Sequence, residues 1–166
     1  MDLYILRHGL SVDRSEWLHN RDRDRPLTKE GKKRIRRIAK AMARLGLQFD
    51  WILSSPYVRA RDTASIVADL LGLQKSVELR DELTPMGNPE ELTKLLASRK
   101  TSERVLIVGH EPFLSRYASV LLTGHAVPRV RFKKAGLCKL AIARLRFAAC
   151  AELEWLLTPG QLTRIR

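Results

Sequence analysis

Two hydrophobic periods alternate along this chain. Short runs of consecutive apolar residues, Leu3–Leu6, Trp51–Ser54, Val77–Arg80 and Val105–Val108, predict strands buried on both faces. Between them, apolar residues recur at helical spacing. Ile35, Ile38, Met42 and Leu45 follow a capping Thr28 and stop at Gly46. Ala60, Ala64, Val67 and Leu71 follow Ser55-Pro56, read as a cap with proline in the first turn, and end at Gly72. Asn88-Pro89 opens a short helix through Leu92, Leu95 and Leu96, and Pro112 opens another with Phe113, Leu114, Tyr117, Ala118 and Leu121 on its apolar side, ending at Gly124. Beyond Val130, Leu137–Leu145 and Ala148–Leu157 read as an antiparallel pair at one sheet edge. Strands alternating with helices predict an α/β fold: a three-layer α/β/α sandwich with a mostly parallel central sheet and an antiparallel edge. Residues 1–166 are expected to form a single domain.

Three of the predicted strands deliver a polar group where they end. The first runs into Arg7, His8 and Gly9, with the glycine expected to let the backbone turn sharply and approach a ligand. The helix after the second strand carries Arg59 in its first turn, off the apolar stripe, and the fourth strand ends in Gly109-His110. Open α/β sheets bind ligands at this carboxyl edge, so Arg7, His8, Arg59 and His110 are expected to converge there. Arginine forks bind phosphate oxygens in pairs, and neighbouring cations disfavour a protonated imidazole, keeping a nucleophilic histidine neutral near pH 7. No acidic cluster accompanies them, so neither a metal nor another cofactor is implied. The polar stretch from Ser11 to Arg25, with Trp17 and His19 inside it, reads as a loop over the end of the first strand, where His19 is a candidate for facing a substrate.

Charge narrows the partners. With 31 Lys+Arg against 18 Asp+Glu, the formal charge of +13 favours anionic ligands. The basic residues concentrate in RDRDR, Arg21 to Arg25, and KKRIRR, Lys32 to Arg37, the second explained by a solvated helix face. Aromatic residues make up 6% and none alternates with these runs, which argues against a base-stacking platform and so against nucleic acid. No apolar run approaches the roughly 20 residues of a membrane span, and the N-terminus lacks the regions of a secretory signal, so a cytoplasmic protein is expected. Cys138 and Cys150 have no close partner spacing and read as buried thiols without chemistry.

Three separated motifs, LRHG near the N-terminus, SSPYVRARDT after the second strand and VGHEP after the fourth, resemble the histidine phosphatase superfamily, also called phosphoglycerate mutase-like. The small size, LTKEG and DELTPMG are similar to the SixA-type phosphohistidine phosphatases, and the short interval from Asp62 to His110 leaves little room for a lid. The resemblance implies that His8 takes the phosphoryl group and that Arg7, Arg59 and His110 bind its oxygens. Glu82 is the best positional match for the general acid of larger relatives, with a loop carboxylate paired to arginine as its competing role. Leu10-Ser11-Val12-Asp13 departs from the mutase-like pattern, which argues against a mutase or sugar phosphatase. The implied activity is metal-independent hydrolysis of phosphohistidine in a partner protein. A small-molecule phosphomonoesterase acting on a phosphorylated metabolite is the alternative, and from another class an inactive polyanion-binding domain.

Overall fold

The computed structural model describes all residues except 19–20, 101–102, 128–129 and 166. Among these described residues six strands form one sheet: β1 (Asp2–Arg7), β2 (Trp51–Ser54), β3 (Val77–Leu79), β4 (Arg104–Gly109), β5 (Leu137–Ile142) and β6 (Ala151–Leu157), in the order β3-β2-β4-β1-β5-β6. The first four are mutually parallel, and β5 and β6 run antiparallel at one edge, as the sequence predicts. Among the described residues five α-helices flank it: α1 (Lys29–Arg44), α2 (Val58–Leu71), α3 (Pro89–Ala97), α4 (Phe113–Thr123) and α5 (Pro159–Leu162). Among the described residues no helix is long and apolar enough to cross a membrane.

The pleat of the central strands divides the core in two. Leu3, Ile5, Val105 and Ile107 join residues of α3 and α4, including Leu92, Leu96, Leu114 and Tyr117, on one face. Tyr4, Leu6, Leu106 and Val108 join Ile35, Ile38 and Met42 of α1, Ala60, Ala64 and Val67 of α2, and Leu162 of α5 on the other. Both faces of each central strand are therefore buried, the condition that continuous apolar runs predict.

Several boundaries move, each for a local reason. Helix α2 starts at Val58 rather than at Ser55-Pro56, because the Ser55 hydroxyl is engaged by the Tyr57 amide and the His110 ring instead of capping a first turn. β3 stops at Leu79, and the antiparallel pair is trimmed to 137–142 and 151–157, with a turn region between. Helix α5, capped reciprocally by Thr158 and Gln161, is too short to register as a periodic pattern. Helix α1 starts as predicted, with Thr28 Oγ1 accepting from the Gly31 amide at 2.9 Å. Its KKRIRR run buries Ile35 and exposes Lys33, Arg34, Arg36 and Arg37, the solvated face expected.

Gly9 is required for a different reason from the one expected. Its φ is not positive, but a Cβ there would lie 2.8 Å from Ile35 Cγ1 and 3.2 Å from Leu27 Cδ2. The absent side chain lets α1 pack directly against the end of β1 and so sets where His8 sits.

Candidate active site

The cavity of interest opens at the carboxyl ends of β1 and β4, beside the first turn of α2. It has a volume of about 210 Å³, and its walls include Arg7, His8, Arg59 and His110, the four residues the motifs nominate. His8 follows β1 directly, and its backbone is fixed by N–H donation to Gly109 O at 3.1 Å. Thr63 ties the pieces together: its hydroxyl donates to Arg59 O at 2.7 Å and accepts from the Gly9 amide at 3.1 Å. One side chain thereby locks the strand end carrying His8 to the helix turn carrying Arg59.

The His8 ring is oriented and its tautomer set. Gly9 O, 2.7 Å from Nδ1, can only accept, so Nδ1 carries the hydrogen and Nε2 keeps its lone pair. Arg59 Nε donates to that Nε2 at 3.3 Å. His8 is 5% exposed, and burial drives its pKa well below the ordinary 6.5, with the His110 ring, Arg59 and Arg7 acting in the same direction against the Gly9 hydrogen bond. A neutral imidazole whose unprotonated Nε2 faces cationic groups can act as a nucleophile toward an anionic electrophile.

His110 lies across the cavity, its ring centroid 5.0 Å from that of His8. Its Nε2 is 2.9 Å from Ser55 Oγ, which also accepts from the Tyr57 amide, so His110 and Ser55 share one hydrogen bond across the cavity wall. The other ring nitrogen, Nδ1, is buried without a partner. Burial, then Arg59, Arg25 and Arg7, pull the His110 pKa down to about 3. This shift has a consequence for stability. An unfolded chain takes up a proton as pH falls through about 6.5, while folded His110 resists doing so until near 3, so stability is insensitive to this group above pH 6.5 and is lost below it. By pH 5 the cost is about 2 kcal/mol, and His8, shifted the same way, adds to it. Denaturation midpoints at pH 7 and pH 5 are expected to show this drop, and His110→Gln to flatten it.

The arginines are held from outside. Arg7 Nη1 donates to Phe132 O at 2.8 Å. Arg59, 3% exposed, donates from Nη1 to Asp22 O at 2.7 Å and from Nη2 to Asp22 Oδ2 at 2.9 Å, which leaves its Nε edge facing His8. Asp22 also accepts from Arg25 Nε at 3.0 Å. Burial alone would raise its pKa, but Arg59 and Arg25 hold it below the usual carboxylate range, so it remains an anion. Among the described residues, four buried side-chain nitrogen or oxygen atoms lack a partner, and Arg7 Nε, His110 Nδ1 and Glu111 Oε1, three of them, belong to walls of this one cavity. Orphaned buried polar atoms are rare in native folds; their concentration here marks a site built for a polar ligand.

Asp22 and Arg25 were not singled out by sequence. RDRDR reads as a basic surface run, yet its opposite charges alternate, unlike KKRIRR, and a short 3-10 turn over Asp22–Asp24 folds two of its five residues into the cavity wall. The loop does cover the end of β1, pinned at its neck by Val12 N to Pro26 O and Thr28 N to Leu10 O, both 3.0 Å. His19 lies outside the described residues. Glu82 lines a different cavity, with Arg80, Asp81, Thr84 and Met86, and the carboxylates of the histidine-bearing cavity are Asp22 and Glu111. Cys138 is buried, and burial pushes its thiol up to about 12, so it is no nucleophile; Cys150 is half-buried and also unpaired. No three His, Cys, Asp or Glu side chains gather to hold a metal among the described residues.

Residues 3–95 match the sequence profile of the histidine phosphatase superfamily, branch 1. The chain belongs to this superfamily. Within it, this histidine phosphatase falls in the SixA-type branch. It is 31% identical over 132 residues to the phosphohistidine phosphatase SixA of Escherichia coli, covering 77% of this chain and 78% of that protein. It is 33% identical over 156 residues, 93% of each chain, to an uncharacterized protein of Picosynechococcus. A solved structure of the protein histidine phosphatase SixA complexed with tungstate superposes with a TM-score of 0.83 at 26% identity, covering 98% of this phosphatase and 99% of the other chain. A phosphoserine phosphatase of Entamoeba histolytica shares the fold at 16% identity, TM-score 0.72, over 97% and 98% of the two chains.

Proposed function

We propose that this phosphatase removes the phosphoryl group from phosphohistidine in a partner protein, through a phosphohistidine intermediate on His8. The observation that carries the reading is the neutral His8 ring, its Nδ1–H committed to Gly9 and its Nε2 lone pair beside Arg59 and His110. In the first step the lone pair forms a bond to phosphorus as the bond to the leaving imidazole breaks, its electron pair going to that nitrogen. Water then attacks phosphorus, and the pair of the breaking N–P bond returns to Nε2. Arg7, Arg59 and His110 bind the three equatorial oxygens, where charge spreads in such transfers. This phosphatase needs little more than positioning and electrostatics, which its buried, pre-arranged donors supply.

Two features favour a macromolecular substrate. On one side the cavity continues through Arg7 and Lys134 into a basic trough with Arg131 and Lys133. On the other it meets, through Pro85, an apolar groove of Met86, Phe113, Val120 and Phe147. A surface of this breadth suits a partner protein that presents acidic and apolar side chains around its phosphohistidine. The likeness to the E. coli phosphohistidine phosphatase supports the same substrate class.

The test compares kcat/KM for a histidine-phosphorylated protein with kcat/KM for a panel of sugar and glycerate phosphates. The phosphoprotein is expected to be preferred; rapid turnover of a metabolite with none of the phosphoprotein would overturn the assignment. Polyanion binding that falls steeply with salt, with no turnover of either, would mark an idle domain instead.

A further inference from the structure

We infer that Glu111 is the general acid and base of this site, an inference that rests on the His8 phosphoryl-transfer reading. Phosphoryl transfer to His8 leaves a negative charge on the departing atom unless a proton reaches it, and the cavity offers two carboxyl groups for the task. Asp22 is spoken for. Its Oδ2 and Oδ1 accept from Arg59 and Arg25, and those cations keep it ionised. Glu82, the positional candidate, lines the neighbouring cavity.

Glu111 is placed differently. It follows His110 directly and lines the same cavity as His8. Its Oε2 is anchored by the Ser115 hydroxyl at 2.6 Å, at the start of α4. Its Oε1 is buried and has no partner. It also lies near enough to Arg7 for its charge to oppose the burial that lowers the Arg7 pKa. One oxygen is fixed and the other is uncommitted, the arrangement a proton shuttle requires. A phosphomonoester, whose second pKa is about 6, can carry the proton in.

The proton balance closes over the two steps. As the Nε2–P bond forms and the bond from phosphorus to the leaving atom breaks, the Oε1 proton moves to the leaving atom and Glu111 becomes a carboxylate. As water attacks the phosphohistidine, that carboxylate takes a proton from the water, the N–P bond breaks toward Nε2, and the carboxyl group is restored.

Leaving-group dependence tests this directly. Wild type, Glu111→Gln and Glu82→Gln are assayed on p-nitrophenyl phosphate, phenyl phosphate and glycerol phosphate, with kcat/KM reporting phosphorylation of His8. Glu111→Gln is expected to lose about 100-fold or more on glycerol phosphate but less than about fivefold on p-nitrophenyl phosphate, whose leaving group needs no proton. It should also accumulate phosphorylated His8, since the second step has lost its base. Ser115→Ala, which removes only the anchor on Oε2, should steepen the same dependence to a smaller degree. An equal loss on all three substrates, or a steepened dependence in Glu82→Gln instead, would overturn the assignment. Absence of turnover by the wild type both of these esters and of a histidine-phosphorylated protein would instead strike the phosphatase reading itself, and this inference with it.

Discussion

His8→Ala is expected to lower kcat/KM by at least about four orders of magnitude, as loss of a nucleophile does elsewhere. Arg7, Arg59 and His110 would remain to bind a phosphoryl group, but the Nε2 lone pair that attacks phosphorus would be gone. The ring itself takes part in two hydrogen bonds in the folded state, donating from Nδ1 to Gly9 O and accepting at Nε2 from Arg59 Nε. Losing these costs about 1–3 kcal/mol, less than the stability of an ordinary domain, so folding should survive at pH 7. His8→Asn, whose side-chain amide retains a donor toward Gly9, is expected to lose the same activity. Steady-state kinetics beside a denaturation curve separates chemistry from folding. A His8→Ala protein that is folded and retains a tenth of wild-type kcat/KM would exclude His8 as the attacking group.

Arg59→Ala carries the second-largest expected effect. Arg59 directs its Nε–H at His8 Nε2, the point where the new N–P bond forms, and both of its outer nitrogens are held by Asp22. As phosphorus bonds to Nε2, the same N–H is positioned to meet an equatorial phosphoryl oxygen. Removing one preorganised donor of this kind costs about 3 kcal/mol of transition-state stabilisation, a loss of roughly 100- to 1,000-fold in kcat. Arg59→Lys should rescue little of it. A lysine has one nitrogen, so it can reach Asp22 or the phosphoryl oxygen but cannot hold both in the planar arrangement of a guanidinium. A lysine variant within about threefold of wild type would show that charge alone, without the Asp22-fixed geometry, is enough.

How much of this was legible beforehand follows from what each element depends on. β1, β2 and β4 were readable because strands buried on both faces carry uninterrupted apolar runs, and α1 and α3 because Thr28 and Asn88 cap them by local hydrogen bonds. The start of α2 was misplaced because Ser55 has a long-range partner, His110, which sequence spacing does not reveal. Arg7, His8, Arg59 and His110 were nominated by their place after strands, and the parallel register of β1, β4 and β2 brings those ends together. Asp22 and Glu111 were not nominated. Asp22 enters the site only because a loop closes on itself at Ser11 and Leu27 and folds back over α2. Glu111 sits inside the VGHEP motif, yet only the geometry of its two oxygens separates it from a surface glutamate. The positional match to Glu82 compared order along the chain, and order does not decide which of two adjacent cavities a side chain lines.

The central claim is that His8 carries the phosphoryl group in a covalent intermediate, and the most direct measurement is the phosphoenzyme itself. Wild-type protein quenched during turnover of a radiolabelled phosphohistidine protein is expected to carry a label that is lost in acid, stable in alkali and confined to the peptide containing His8. His8→Ala, treated identically, should carry none. A label that persists in His8→Ala, or one on another peptide of the wild type, would contradict the account.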